Sequence, residues 1–537
     1  MRSKKRARVT WLAFCAGLGS LLPHAMAIIT FGSPGNNFTA PPGSIGSDVG
    51  KLFTGGGGTA ISSRAMLTAT HVSGNTSGAF TYNNATYNMV LAATLDDLGI
   101  WQTAPGETKT FSNFAPLYTG STETNMSVVD VGYGVQRSSP ITGGWIWGAG
   151  NGQLSWGTNT ISAIDNDTQL GESGSFGGDY LQYDFNNNPA DPNEGILANG
   201  DSGGGLFVLN NGVYQLAGVN SQVSTVLDSS GNSVQGALYD QNGYFTRNFP
   251  GGPLIPITTD TPDSSFATRI SSKLNLVGVV DGTITPSNAA SFPIKDDGAL
   301  SIYTNMTTGA ITGDPTLSIG TPFTPTVTAT LHIAANSGES DVSTLTIASG
   351  CSLDITNTHM IIDDVTSAMQ ASIQAELASG YNGGKWNGVG INSSTAASGN
   401  GHYGVGMANA PTDVGLSWGQ LEIAYALYGD TNLDGLVNGA DFATIVTSLG
   451  KSVSGGWQAG DFNYDGVVNS TDFTLFIANF GKSASGASID LPSSDWAALY
   501  AYASANDISL VSVPEPDCIG LLGMAGLALY ARRRPHS

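Results

Sequence analysis

The sequence is poor in cysteine and in positive charge. Three cysteines occur in 537 residues, Cys15, Cys351 and Cys518. The first lies in an apolar N-terminal run and the last in the C-terminal tail. Only Cys351 is left for the folded body, so no internal disulfide framework can form there. Lys and Arg total 19 against 41 Asp and Glu, for a formal net charge of −22. Five of those cations (Arg2, Lys4, Lys5, Arg6, Arg8) crowd the start and three (Arg532 to Arg534) the end, which leaves the body more acidic still. Such a surface argues against nucleic-acid binding, which needs cationic partners for phosphate. Histidine is scarce as well. Of six in the chain, His71 alone falls between residues 28 and 283.

What the chain does have is glycine, 72 of them, among short apolar segments broken by Gly, Asn, Ser and Thr. That pattern predicts a mainly β architecture with many turns. The stretch Asn199-Gly-Asp-Ser-Gly-Gly-Gly-Leu206 carries the first chemical signal. A serine hydroxyl needs a nearby base to act as a nucleophile. It also needs backbone amides aimed at the oxyanion formed in acyl transfer, and glycines let the chain turn to present them. Gly200 and Ser202 are the natural amide donors. His71, just past the apolar run Ala65-Met-Leu-Thr-Ala69, is the available base. Asp97, opening the apolar run Leu98-Gly-Ile-Trp101, would be costly to bury without a partner, and His71 can be that partner.

The order His, Asp, Ser in these local settings resembles the chymotrypsin-like (trypsin-type) serine proteases. The carrying segments are Leu67-Thr-Ala-Thr-His71, Asp97-Leu-Gly-Ile100 and Gly200-Asp-Ser-Gly-Gly204. The resemblance implies a double β-barrel domain over 28–283 that cleaves peptide bonds. His71, Asp97 and Ser202 would be catalytic, and Gly200 and Ser202 would form the oxyanion hole. It further implies that Ile196 lines the base of the primary specificity pocket, favouring an uncharged side chain. Asn220 and Ser221 would edge the substrate cleft. The chain departs from the pattern at Gly205, where a proline is usual, and at Thr70, where an alanine is usual. Two rivals stay open: a catalytically inactive adhesion or scaffold protein, and an esterase using the same three groups.

Residues 1–27 read as a secretory signal peptide, with basic Arg2–Arg8, apolar Val9–Leu22 and small residues at Ala25 and Ala27. Residues 284–425 read as a β-rich accessory domain, either a small sandwich or a short solenoid, with a helix over 368–379. His332 and His359 are expected to be satisfied or solvated there rather than to act as ligands.

Residues 429–482 contain a repeat. Asp430, Asn432, Asp434, Leu436, Asn438 and Asp441 recur as Asp461, Asn463, Asp465, Val467, Asn469 and Asp472. Side-chain oxygens at loop positions 1, 3, 5, 9 and 12, a glycine at 6 and a carbonyl at 7 suit the high coordination number of calcium. The pair resembles a type I dockerin, a small α-helical calcium-loop module. The resemblance implies two Ca2+ sites, no cofactor for catalysis, and a cohesin-like partner. Residues 483–512 are expected as a linker, with a helix over Trp496 to Tyr502. The tail 513–537 holds Pro514-Glu-Pro516, an apolar run and Arg532–Arg534. It resembles a PEP-CTERM signal, which implies a membrane sorting enzyme as partner and a transmembrane tail, against the alternative of a plain anchor. Both place the body in the cell envelope or outside it.

Overall fold

Hairpins dominate the first half, because alternating apolar residues bounded by Gly and Asn pair locally and bury one face. The computed structural model describes residues 28–32, 37–165, 179–247, 251–295, 298–320, 328–410 and 415–505. The expected leader and sorting tail lie outside these residues. Among the described residues, no helix is long and apolar enough to cross a membrane.

Two six-stranded barrels form. The first runs in the order Ala85–Leu95, Ser77–Tyr82, Val49–Leu52, Gly57–Ala60, Ala65–Ala69, Leu98–Thr103, and closes where Leu98–Thr103 pairs back on Ala85–Leu95. The second closes through Ser155–Asp165, Tyr180–Asp184, Ser264–Arg269, Val213–Val223, Gly205–Asn210 and Ser127–Gly132. Closure leaves no unpaired edge in either barrel. Each fills with its own apolar side chains, Phe80, Tyr82 and Trp101 in one and Leu181, Leu206 and Val208 in the other. The helix Leu274–Asp281 follows the last strand of the second barrel.

The described residues between 294 and 362 resolve the choice left open by their sequence: they form a solenoid of parallel strands. One sheet stacks Ala299–Ile302, Thr316–Ile319 and Thr344–Ile347 in register. Another stacks Met306–Thr308, Thr330–Ile333, Ser352–Asp354 and Gly390–Asn392. Leu317, Leu331, Leu345 and Leu353 point inward. The expected helix is present as Ser367–Tyr381, capped by the Thr366 side chain accepting from the Met369 amide. The solenoid is not a separate bead. Ala299–Ile302 pairs antiparallel with Ala85–Leu95 and so extends the sheet of the first barrel.

The repeat folds as two loops, each entering a helix, Gly439–Ser448 and Ser470–Ile477. Asn438 and Asn469 cap these helices with matching capping boxes to Asp441 and Asp472. Two aromatic residues seat the module on the strand Tyr403–Asn409: the Tyr464 hydroxyl donates to the Val405 carbonyl at 2.8 Å, and Trp457 lies against Gly406. The helix expected over Trp496 to Tyr502 within 483–512 is present, and it packs on the repeat module where a linker was expected. Residues Ser493–Ala505 are a helix, and its Leu499 and Ala503 are buried. Its Trp496 and Tyr502 rings pack on Phe480, Phe442 and Phe473. Apolar residues at helical spacing made that segment a packing element.

Candidate active site

The strand Ala65–Ala69 ends in a short turn of helix, Thr70–Ser73, which carries His71. Asp97 is the second residue of a two-residue hairpin turn between Leu95 and Leu98. The Thr70 amide donates to the Asp97 carbonyl at 2.8 Å, tying the two segments together. His71 Nδ1 lies 2.8 Å from Oδ1 and 3.0 Å from Oδ2 of Asp97, across 26 positions of sequence. A carboxylate can only accept, so Nδ1 carries the proton and Nε2 is left as the basic nitrogen. Asp97 is fully buried, whereas the His71 side chain is 28% exposed.

Ser202 sits at a turn whose shape depends on Gly203. That glycine has φ +82, and a Cβ there would fall 2.3 Å from both the Gly57 carbonyl oxygen and Thr68 Oγ1. The Ser202 carbonyl accepts from the Gly57 amide at 2.9 Å, which docks the serine loop of the second barrel on the first. The amides of Gly200 and Ser202 have no acceptor among the described residues. Two free N–H groups beside a serine are what an oxyanion site requires.

Ser221 joins the parts. Its hydroxyl donates to Asp97 Oδ2, and its carbonyl accepts from the Ser202 hydroxyl at 3.3 Å. The pairing of Val213–Val223 with Ser264–Arg269 slips by one residue between Asn220 and Gln222. A bulge of this kind turns a side chain out of the strand's alternation, and here the residue it re-aims is Ser221.

The side chains of the three residues expected at the substrate site are turned inward. Ile196 is fully buried, paired with Ile29 and packed among Val135, Phe185 and Ala237, so it faces an apolar core and not an open cleft. Asn220 is also fully buried. Its amide nitrogen donates to Asp130 Oδ1 at 2.7 Å and to the Val131 carbonyl at 3.0 Å. The Ser221 side chain is spent on Asp97. Alternation along its strand does not give the direction of Ser221, because the bulge changes the phase there.

A buried acidic network of Asp201, within the Gly200–Gly204 motif, and Asp130 supports the serine loop. Asp201 accepts amide hydrogen bonds from Gly134 and Ala198, the latter at 2.8 Å. Burial raises its carboxyl well above the ordinary range, and Asp130 nearby adds to the rise. Burial likewise pushes Asp130 up to about 7, against the hydrogen bonds from Tyr183 and Asn220.

In the repeat module, the buried Asp430 Oδ1 has no hydrogen-bond partner among the described residues. Burial, then Asp441 and Asp434, push its carboxyl up to about 8. Asp461 is driven up to about 6 by burial, with Asp472 and Asp465 adding to the rise. An orphaned carboxylate oxygen amid like charges fits a cation, and oxygen donors fit calcium. The other histidines behave as expected: His332 bonds Asp354 at 2.9 Å and His359 bonds Glu422 at 2.7 Å.

Two closed six-stranded barrels fit a chymotrypsin-like fold. Residues 428–481 match the family model of the dockerin type I domain, a calcium-binding module. Among solved structures, the chain is similar to the Rv3671c protease in an inactive form, at 16% identity and a TM-score of 0.24, covering 36% of this chain and 85% of that one. It is also similar to a serine-to-alanine variant of Rv3671c from M. tuberculosis H37Rv, at 14% identity and a TM-score of 0.25, covering 45% and 96%. No curated protein matches the chain.

Proposed function

We propose that this protein is a secreted, surface-sorted serine endopeptidase with a calcium-dependent docking module. The observation that carries the reading is the contact of one residue, Ser221, with both Asp97 and Ser202, while Asp97 holds His71. Side chains from two barrels thereby meet in one place.

In this reading the Ser202 hydroxyl attacks the scissile carbonyl. His71 Nε2 takes its proton and returns it to the leaving amine. Asp97 keeps the imidazole in the Nδ1–H tautomer and stabilises the imidazolium. The amides of Gly200 and Ser202 receive the oxyanion. Rotation of the serine hydroxyl away from the Ser221 carbonyl toward the imidazole completes the arrangement, as catalytic contacts often tighten only on substrate binding.

The docking module binds two calcium ions through Asp430, Asn432, Asp434, Leu436 (by its carbonyl), Asn438 and Asp441, and through the equivalent set from Asp461 to Asp472. A cohesin-type domain is the partner that a type I dockerin implies. The leader exports the chain, and the tail hands it to a membrane sorting enzyme. Labelling with an active-site fluorophosphonate tests the chemistry. Wild-type protein takes up the probe and cleaves peptides, and Ser202→Ala does neither. A wild-type protein that is folded, calcium-loaded and unlabelled overturns the reading.

A further inference from the structure

Asp96 stands one peptide bond before Asp97 and touches three parts of the molecule. It takes the left-handed conformation, with φ +54, as the first residue of the hairpin turn. Its side chain is completely buried. Oδ2 accepts from Lys273 Nζ at 2.5 Å, and the lysine side chain is itself only 1% exposed. Oδ1 accepts from the Ala299 amide at 3.3 Å, while the Asp96 amide donates to the Ala299 carbonyl at 3.0 Å.

These partners come from distant places. Lys273 follows the last strand of the second barrel and immediately precedes the helix Leu274–Asp281. Ala299 opens the solenoid strand that pairs Leu300 with Leu95 and Ile302 with Ala93. The first barrel, the second barrel and the solenoid therefore converge on one carboxylate. An apolar contact would join three units at lower desolvation cost than a dry ion pair does. What the ion pair adds is direction: a two-atom acceptor held from two sides fixes the orientation of a strained turn. That turn is also what aims Asp97 at His71, and its carbonyl anchors the Thr70 amide at the base of the histidine's helical turn.

We propose that Asp96 and Lys273 are positioning residues, through which the second barrel and the solenoid hold Asp97 against His71. This inference rests on the serine-hydrolase reading of residues 71, 97 and 202. It makes the solenoid part of the catalytic apparatus and not an appendage to it.

The test uses the full chain, loaded with calcium, as wild type, Asp96→Asn, Lys273→Met, the double variant and Lys273→Arg. Asparagine tolerates the left-handed turn, and arginine keeps the charge. Two readouts are taken: kcat and KM on a chromogenic peptide across pH, and the low-field proton resonance of the His71 Nδ1–H···Asp97 hydrogen bond. The expected result is a loss of at least tenfold in kcat for Asp96→Asn and Lys273→Met, with KM within twofold. The acid limb of kcat/KM moves to lower pH as the imidazolium loses its partner, the low-field resonance fades, and Lys273→Arg recovers most of the rate. Folded variants with unchanged kcat, pH profile and resonance overturn the proposal. If the single variants do not fold, the double variant, which leaves no unpaired charge, decides by the same readouts. Failure of the double variant to fold also overturns the proposal, because the pair is then needed for the fold alone. A wild-type protein that cleaves nothing refutes the hydrolase reading. In that event the resonance, present in wild type and lost in the variants, still reports whether this pair sets the His71–Asp97 contact.

Discussion

The Ser221 hydroxyl donates to Asp97 Oδ2, the backbone amide of His71 donates to Oδ1, and the imidazole Nδ1 lies within reach of both oxygens. Removing that hydroxyl in Ser221→Ala takes a hydrogen bond from a buried carboxylate, a contact of about 1.5–3 kcal/mol. The expected outcome is a fall of roughly 10- to 100-fold in kcat with little change in KM, read from peptide hydrolysis. The Ser221 carbonyl remains in the variant, so the resting place of the Ser202 hydroxyl is kept.

Asp97→Asn preserves shape but presents an amide where a carboxylate oriented the ring. The imidazole then adopts the wrong tautomer. A loss of about 10⁴ in kcat is expected, the magnitude known for the same change in trypsin. Stopped assays at pH 7 to 8 measure it, and unchanged thermal unfolding shows that the loss is chemical.

The stability of the second barrel should depend on pH through its buried acids. Asp130 is pushed up to about 7 in the folded chain by burial, from an ordinary value near 4. Asp201 moves in the same direction. The native state therefore holds protons that the unfolded chain releases. Their contribution is fully present below about pH 4 and is lost as pH rises through about 7. Calorimetry should show a higher Tm at pH 5 than at pH 8, and Asp130→Asn should flatten that slope, since Tyr183 can turn its hydroxyl to accept from the amide.

Chelation should unfold the loops first. Calcium bound at a thousand times its Kd stabilises by about 4 kcal/mol, and the Asp430 oxygen is orphaned without a cation. Addition of EGTA should lower the melting temperature and the helical circular dichroism, and calcium should restore both. Asp430→Ala should abolish one of two binding events in titration calorimetry.

Trp386 is 1% exposed and donates to the Tyr428 hydroxyl at 2.7 Å, beside the rings of Tyr381 and Tyr464. Trp386→Ala should cost about 3–5 kcal/mol, measured by denaturant unfolding. Because these rings span the solenoid and the calcium module, both should lose stability together.

Much of this was legible in the chain. The segments around His71, Asp97 and Ser202 are local signals, and a lone histidine left no competitor. The calcium loops were legible because ligand spacing is fixed within one turn of chain. What lay hidden depends on phase and on distance. A one-residue bulge turns Ser221 toward Asp97, and alternation along the strand cannot foretell it. The pairing of Leu300 with Leu95 joins strands from different domains, and Asp96 gives no sign in sequence that Lys273 and Ala299 will meet it.

The calcium module is bolted to its neighbour. Tyr464 bonds the backbone of Val405, Trp457 lies against Gly406, and the helix Ser493–Ala505 packs on the module's own helices. A protein that grips residues 428–481 therefore gains no free swivel. In the proposed reading, it inherits a set bearing toward Ser202, so the partner would decide which neighbouring chains come within reach of that serine.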